Sequence, residues 1–497
     1  MDNYSDVMFF NKKNILIIFF LMLLCLVLTK LNINESNDTF YLIKLGELIS
    51  NNGIDMKDHF SWIGNLSYTY PHWLYSVIIY YFYHFFSFKG VFLLNYISYS
   101  LIISIIYYVN IKINKNTFIA FLVAFISVFA FKPFILPRSI IFSTIIFLLE
   151  IYFIHQLIQK AQKRYIFFLF LLSVLLANIH ASSWIMFFIL FIPFLMNAFV
   201  FKIKKKKWNI EENVEISQIN NIKLVIIAFI LSLFAGFFSP SRVCYTYIFR
   251  IMLGNTQNYI SEHEPLVVIR YPIVLIMLFF LYFSKVKIKM FELFMILGIS
   301  IMTFSSNRHI IFFYAIVFLY LSIILMRNIH SNKRNYFTIS FLEKIFINKK
   351  IMMILSVIIL SIAIFFVKNN MNEELKNDIY PIEAVKYLKT NYSDKKLFNE
   401  YNDGSYLLFN DIKVFIDSRC DLYLKEFNNI NVLDDYLEMY YKRYEYDMLF
   451  EKYDVEVILL PKNGITNKII KNDLKYRLAY DDSNFVIYER VNKDDAV

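Results

Sequence analysis

Apolar runs of about 15 to 20 residues recur from Asn14 to Lys368, and each is about the length that a helix needs to cross a bilayer. A chain that is 58% hydrophobic also carries more apolar surface than one soluble core can bury. We therefore predict an all-α polytopic membrane bundle. About eleven segments are predicted to span the membrane: Asn14–Thr29, Val91–Val109, Phe118–Phe131, Ile140–Gln156, Ile166–Ala177, Trp184–Phe201, Leu224–Phe238, Ile273–Phe283, Phe291–Phe304, Ile310–Met326 and Ile351–Val367.

The basic residues predict the orientation of these helices. Lys and Arg cluster in short loops between the apolar runs, and such loops are typically cytoplasmic. With eleven spans every cluster falls on the cytoplasmic side, which places the N-terminus inside and the residues after the last span outside. The net charge of +11 therefore reports orientation and predicts no nucleic-acid partner. The clusters are Lys12/Lys13, Lys112/Lys115, Lys160/Lys163/Arg164, Lys204–Lys207, Lys285/Lys287/Lys289 and Arg327/Lys333/Arg334/Lys349/Lys350.

The aromatic stretch Trp73–Phe88 agrees with this orientation only if it does not cross the membrane. It is dense in Trp and Tyr and carries His84, a composition typical of a helix at the level of the lipid headgroups. We predict an interfacial helix at 73–88, following a first outer loop at 31–72. A short crossing is the alternative.

Two domains are predicted from the change in composition: a membrane domain at 1–368 and an extracytoplasmic α/β domain at 369–497. In the second domain, Pro381–Asn391 has helical spacing, and Gly404 is predicted to turn the chain between two strands. The predicted strands include Lys413–Ile416, Val455–Leu460 and Phe485–Tyr488. Cys25, Cys244 and Cys420 have no spacing typical of disulfides or metal sites.

The first outer loop is rich in acidic residues and histidine, with Asp38, Asp55, Asp58 and His72 among them. A partly desolvated carboxylate at a membrane surface can act as a general base towards an acceptor hydroxyl. Solvated loop charges are the simpler interpretation for any one of these residues.

Isolated cations and imidazoles stand at three other outer helix junctions, at Arg138, at His180 in ANIHAS, and at Arg308 in SSNRH. A guanidinium binds phosphate oxygens through its fork of donors, so these residues are candidates to hold a phosphate. Arginines at helix ends also extend to lipid headgroups, which is the structural alternative. Glu262, in ISEHEP, is a weaker candidate in the outer loop before Pro272.

These segments resemble, in order along nearly the whole chain, bacterial membrane glycosyltransferases of the GT-C superfamily. The resemblance rests on Asp38–Trp73, with Gly46, Gly53, Asp58, Phe60, Ser61 and His72, and on PRSIIFS, ANIHAS, SPSRVCYTY, ISEHEP, NRHIIFF, NDGSYLLF and FIDSRCDLY. It implies a polyprenyl-phosphate sugar donor and a catalytic acid in the first outer loop, at Asp38. Asn37 and Thr39 replace the paired acid of that family, so the resemblance supports no metal cofactor.

The sequence therefore predicts a cell-membrane glycosyltransferase that moves a sugar to an unidentified extracytoplasmic acceptor. Asp38 is the predicted base, and the predicted substrate-binding residues are Asp58, His72, Arg138, His180, Glu262 and Arg308. A transporter or flippase of a lipid-linked substrate is one alternative, although its main candidate residues, Glu150 and Glu292, are predicted to lie toward cytoplasmic helix ends. A noncatalytic scaffold of the cell envelope is the other.

The predicted orientation can be tested with single cysteines in an otherwise cysteine-free variant. Asn65→Cys and Lys462→Cys should react with an impermeant maleimide in intact cells, because both positions are predicted to lie outside. Asn209→Cys should not react until the cells are permeabilised. Labelling of Asn209→Cys in intact cells would reverse the orientation.

Overall fold

The structure is a computed structural model, and it describes residues 11–114, 116–208, 221–240, 242–253, 262, 264–283, 288–330, 341–442 and 446–491. The described chain is mainly helical, with one small sheet. The α-helices used here are α1 (Lys12–Leu28), α2 (Asp38–Asn52), α3 (Trp73–Phe86), α4 (Phe88–Asn114), α5 (Thr117–Phe131), α6 (Ile140–Lys160), α7 (Arg164–Ile179), α8 (Trp184–Trp208), α9 (Ile222–Leu233), α10 (Tyr247–Leu253), α11 (Pro272–Phe283), α12 (Met290–Ser305), α13 (Ile310–His330), α14 (Lys349–Met371), α15 (Ile382–Asn391), α16 (Tyr401–Phe409), α17 (Lys425–Asn428), α18 (Val432–Lys442), α19 (Tyr446–Lys452) and α20 (Ile465–Ile470).

The apolar segments predicted from the sequence are helical, but their predicted number of crossings is not confirmed. Within the described residues, six helices are long and apolar enough to cross a membrane. The other predicted spans lie in α1, α7, α9, α11 and α12, which have 12 to 17 residues. A helix of that length is roughly 18 to 26 Å long, which is less than the ~30 Å of a typical hydrocarbon core. The six are Phe88–Ile113, Thr117–Phe134, Ile140–Lys160, Ala181–Val200, Asn307–Met326 and Lys349–Met371.

The chain forms two compact units. Unit 1 comprises Met1–Leu31, Phe88–Tyr245 and Gln257–Asn372, and unit 2 comprises Asn32–Ser87, Thr246–Thr256 and Glu373–Val497. Unit 2 thus contains the segment predicted as the C-terminal domain, together with the predicted first outer loop and α3. Residues far apart in the sequence therefore share one core.

In unit 1, α13 is the central helix and α14 is peripheral. Every residue from Ile310 to Tyr320 is buried, and α13 packs against α4, α5, α6 and α12. By contrast, α14 contacts mainly α1 and leaves Ile364 73% exposed and Phe365 70% exposed. Apolar side chains that no protein covers are typical of a helix surface that faces lipid.

Glu150 lies at the middle of α6, the eleventh of 21 residues, so the prediction that it lies toward a helix end is wrong. Its side chain is fully buried, and neither carboxylate oxygen has a hydrogen-bond partner among the described residues. Glu292 does lie near a helix end, in the first turn of α12, where its carboxylate accepts a hydrogen bond from the Lys289 N–H at 3.0 Å.

Unit 2 contains a four-stranded mixed sheet flanked by helices. Its strands are β1 (Leu397–Phe398), β2 (Val457–Pro461), β3 (Tyr476–Asp481) and β4 (Phe485–Arg490), in the order β1-β2-β4-β3. The β1–β2 pair is parallel and the other two pairs are antiparallel. The predicted helix at 381–391 and the predicted strands at 455–460 and 485–488 are confirmed within one to two residues at their ends.

The predicted interfacial segment is helical as α3, which packs on α2. It ends at Phe86 because Ser87 adopts a left-handed conformation with φ of 55°, and α4 begins at the next residue. Its location at the headgroup level stays a prediction.

Two sequence predictions in unit 2 are wrong. Lys413–Ile416 is not a strand of the sheet, because its backbone groups are satisfied by a loop and a side chain. Val414 forms an isolated bridge with Ser61, and Asn399 accepts from the Phe415 N–H at 2.9 Å and donates to the Ile416 carbonyl at 2.8 Å.

Gly404 is the second correction, since it lies inside α16 instead of in a turn. A Cβ at this position would lie 2.0 Å from the Ile416 carbonyl oxygen and 2.7 Å from the Asp417 Cα. The glycine is therefore required by the close approach of α16 to the backbone at 416–417.

Gly404→Ala should lower the free energy of unfolding by about 1–3 kcal/mol, because the added methyl group must displace backbone atoms in a packed core. Gly64→Ala is the matched control, since nothing lies within 4 Å of a Cβ at that position. Thermal unfolding of the purified chains in detergent measures both. Equal melting temperatures for the two variants would contradict the close approach.

Candidate functional site

The four predicted site residues in unit 1 form two polar contacts at helix junctions. Arg138, in the turn before α6, donates to the Glu262 carboxylate and forms an ion pair with it. The Arg138 side chain is 27% exposed and the Glu262 side chain 44% exposed, so this pair is open to solvent or to a ligand. Glu262 thereby neutralises one of the two guanidinium groups predicted to bind phosphate.

His180 connects the other guanidinium to α6. It lies between α7 and the short 3-10 helix Ala181–Ser183 and is 1% exposed. Its Nδ1 lies 2.7 Å from Ser143 Oγ, and its Nε2 lies 3.4 Å from Arg308 Nη2. Because a guanidinium only donates, the Arg308 contact requires Nε2 to accept, which assigns the imidazole proton to Nδ1, within reach of Ser143 Oγ and, at 3.0 Å, of Ser183 Oγ. Sequence reasoning missed Ser143, although it is the last residue of the PRSIIFS segment.

These two contacts belong to one connected network. Ser306 Oγ donates to the Glu262 carbonyl at 3.1 Å, and the Asn307 N–H donates to the Glu264 carbonyl at 2.9 Å. The loop that carries Glu262 is thereby fixed to the junction between α12 and α13, through the two residues that directly precede Arg308. Arg138 lies in the turn before α6 and Ser143 in the first turn of α6, so the start of this helix links the two contacts.

Arg308 keeps an uncompensated positive charge. Within the described part of the chain, no carboxylate forms an ion pair with it, and its hydrogen-bond partner is the neutral ring of His180. It lies in the 3-10 helix Asn307–His309, directly before the N-terminus of α13, where the helix dipole adds positive potential. Asn307 Oδ1, on the residue before Arg308, and Ser182 Oγ, two residues after His180, are buried without hydrogen-bond partners among the described residues. Such orphaned groups next to a cation are expected of a site that binds a polar ligand.

Asp38 is the first residue of α2 in unit 2 and is half-buried. A carboxylate in the first turn of a helix interacts favourably with the helix dipole. The preceding residue, Asn37, is held by a 2.7 Å hydrogen bond from its Nδ2 to the Asn402 carbonyl. The helix start is thus fixed to the segment that begins α16.

The residues that flank Asp38 have unsatisfied polar groups. Ser36 Oγ, Asn37 Oδ1 and Thr39 Oγ1 are buried, and none has a hydrogen-bond partner within the described residues. Burying hydroxyl and amide groups without partners costs about 1–3 kcal/mol each. A cluster of three beside one carboxylate therefore favours a ligand site over an ordinary helix start.

Sequence reasoning missed Asp403, a second acid in the surroundings of Asp38. Burial raises the pKa of Tyr380, and Glu373, Asp403 and Asp38 raise it further, so both aspartates lie close enough to act on the same ring. Burial raises the pKa of Asp403 itself well above its usual range, with Glu400 adding to the rise. NDGSYLLF contained this residue, but only the packing of α16 on α2 brings it to Asp38.

Asp58 has a structural position inside unit 2. Its side chain is 1% exposed, pairs with the fully buried Arg419 guanidinium, and accepts from the Ser61 N–H at 2.8 Å. Arg419 also binds Asp417, with Nη2 2.6 Å from its Oδ2. Since both partners are enclosed, these contacts leave Asp58 no face for substrate. His72 lies directly before α3, where its carbonyl accepts from the Ser76 N–H at 2.9 Å.

The residues next to Asp38 in the chain, Asn37 and Thr39, supply an amide and a hydroxyl in place of a second carboxylate. Among the described residues, no three His, Cys, Asp or Glu side chains lie together as ligands for a metal ion.

The chain has the fold of an archaeal oligosaccharyltransferase. The apo crystal structure of that enzyme from Archaeoglobus fulgidus matches with a TM-score of 0.60 at 11% sequence identity, over 92% of this chain and 70% of the enzyme. The structure of the same enzyme tethered through a disulfide to an acceptor peptide containing the NVT sequon matches with a TM-score of 0.55 at 12% identity, over 98% and 75%. No protein-family model and no curated protein matches the sequence. At these identities the comparison shows the fold alone, so the reaction must be argued from the residues.

The buried carboxyl group of Asp421 makes the stability of unit 2 depend on pH. The residue is 5% exposed, and its Oδ2 has no hydrogen-bond partner among the described residues. Burial raises the pKa of Asp421 from 3.8 to about 6, while the nearby Arg419 guanidinium lowers it. The folded chain therefore binds this proton more tightly than the unfolded chain, so the stabilisation is greatest at low pH and is lost as pH rises through about 6.

On going from pH 8 to pH 5 this group should add roughly 1 kcal/mol to the stability of the parent chain. Asp421→Asn removes the titrating group, so its melting temperature should depend less on pH, and the difference from the parent isolates Asp421 from other acids. The exposed Asp394→Asn is the control and should follow the parent. If Asp421→Asn follows the parent as well, Asp421 does not titrate in this range.

Proposed function

We propose that this chain is a membrane glycosyltransferase that moves a sugar from a polyprenyl-phosphate carrier to an acceptor outside the cytoplasm. The observation that carries the proposal is Arg308, an uncompensated guanidinium at a helix N-terminus whose orientation is fixed by a neutral histidine. The oligosaccharyltransferase fold supports transfer chemistry. The apolar helices support a location in the bilayer, where a lipid-linked donor would be found.

In this reaction an acceptor hydroxyl or amide attacks the anomeric carbon of the sugar. A new bond forms at that carbon while its bond to the phosphate oxygen breaks, and the electron pair leaves with the phosphate. Asp38 takes the proton of the acceptor, as a general base. Arg308 stabilises the negative charge that develops on the leaving phosphate, because a guanidinium fork matches two phosphate oxygens.

The other residues of the unit 1 network hold Arg308 in position. His180 accepts from Arg308 and in turn donates to Ser143, so a side chain with several flexible torsions is kept in one orientation. Glu262 pairs with Arg138 and neutralises its charge. The remaining positive charge of the site is then that of Arg308, which binds the donor. The acceptor peptide in the archaeal relative makes a peptide one candidate for the acceptor here.

A transporter of a lipid-linked substrate is the second candidate, and Glu150 is the observation that favours it. An ionisable residue in the middle of a candidate membrane span is rare and often functional. However, no ion pair links Glu150 to another charged residue in the described part of the chain, and a single carboxyl group does not form a relay. The orphaned polar groups beside Asp38 and Arg308 are better explained by a transferase.

The test uses membranes that contain the parent chain or a variant, with a panel of polyprenyl-phosphate sugars and the surface glycans of the parent cell as the readout. Asp38→Asn preserves shape and removes the base, so turnover should fall about 10²- to 10⁴-fold while donor binding stays nearly constant. Arg308→Lys should instead weaken donor binding, because lysine keeps the charge and loses the fork.

Asp55→Asn is the matched control for Asp38→Asn. Asp55 is also an aspartate of the first outer loop, but its carboxylate is already paired with His59 at 2.7 Å and Tyr70 at 3.1 Å. The Asp55→Asn substitution should therefore have little effect on turnover. Unchanged glycans in Asp38→Asn, in a strain where deletion of the gene alters them, would exclude Asp38 as the base and favour the transporter or the noncatalytic scaffold.

A further inference from the structure

A groove on unit 1 runs beside the peripheral helix α14. Its volume is about 410 Å³, and its walls are apolar side chains of α1 and α14, including Leu26, Leu360, Ile364 and Val367. Ile364 is 73% exposed. The groove thus lies beside the least buried of the six candidate spans in the described residues, where the bilayer supplies the surroundings.

Two lysines lie at one end of this groove. Lys89 is the second residue of α4, and Lys368 lies in the last turn of α14. Both are exposed, and neither has an ion-pair partner among the described residues. An apolar groove that ends in two uncompensated ammonium groups is complementary to an amphiphile with an anionic head.

The location of these lysines sets them apart from the other cations of the same helices. In α4, Lys112 lies at the opposite end, and in α14, Lys349 and Lys350 lie at the opposite end. If Lys89 and Lys368 followed the usual bias of basic residues towards the cytoplasmic ends of membrane helices, they would lie at that opposite end as well. Lys89 and Lys368 depart from the bias together, and both line the same groove.

We propose that this groove binds an anionic phospholipid of the bilayer, with an acyl chain along Leu360 and Ile364 and the phosphate between Lys89 and Lys368. The groove shares no residue with the proposed donor site, which is built from the junctions before α6, α8 and α13. The proposal therefore goes beyond the transferase function and does not depend on it. Phospholipid is favoured over a polyprenyl phosphate because the groove opens directly to the bulk lipid, where phospholipid is the abundant anionic amphiphile.

The test measures binding of phosphatidylglycerol to the purified full chain in detergent by native mass spectrometry. Each lysine at a membrane surface contributes about 1 kcal/mol towards an anionic headgroup. The double variant Lys89→Gln/Lys368→Gln should therefore bind phosphatidylglycerol roughly 10- to 30-fold more weakly than the parent. Leu360→Trp, which fills the groove and keeps both charges, should weaken binding as well.

Lys349→Gln/Lys350→Gln is the matched control, since it removes the same charge from the opposite end of α14 and should bind like the parent. Three outcomes would overturn the proposal: equal binding by both double variants, equal affinity of the parent for phosphatidylcholine, or displacement of phosphatidylglycerol by an equimolar polyprenyl monophosphate. The last would assign the groove to a lipid carrier instead of a structural phospholipid.

Discussion

A fully buried guanidinium holds unit 2 together. Arg419 pairs with Asp58, 361 residues earlier in the chain, and with Asp417, and its guanidinium also lies over the Phe60 and Tyr68 rings at 5.1 Å. Charges this deeply buried must be paired, because losing one partner of such a pair costs about 3–5 kcal/mol. The network therefore joins the early segment of unit 2, which carries Asp38, to the segment near the C-terminus, which carries Asp403.

The polar network of unit 1 is less completely neutralised than the network around Arg419. Its charges are partly exposed, and the ion pair of Arg138 with Glu262 leaves Arg308 without a carboxylate partner among the described residues. A network built for stability would neutralise that charge, as the network around Arg419 does. The uncompensated Arg308, oriented by His180, is better explained by binding of an anion than by folding.

Much of the fold could be predicted from the sequence, since helices in a bilayer must satisfy their own backbone and so appear as long apolar runs. The strands at 457–461 and 485–490 were also predictable from local composition. The errors fall where distant packing overrides local preference. Gly404 resembles a turn residue, yet it lies in a helix because the backbone at 416 passes too close for a Cβ. Asp58 resembles a substrate-binding loop acid until Arg419 encloses it.

The sequence by itself determined that the chain is a helical membrane protein with isolated cations at helix junctions, because apolar length and charge are local properties. Only the tertiary structure decided which of these charges remain uncompensated. Asp58 and Arg138 are paired with Arg419 and Glu262, whereas Arg308 is held by His180, a neutral acceptor. The reason is physical: whether a charge is neutralised depends on its neighbours in space, and those neighbours lie more than a hundred residues away in the chain.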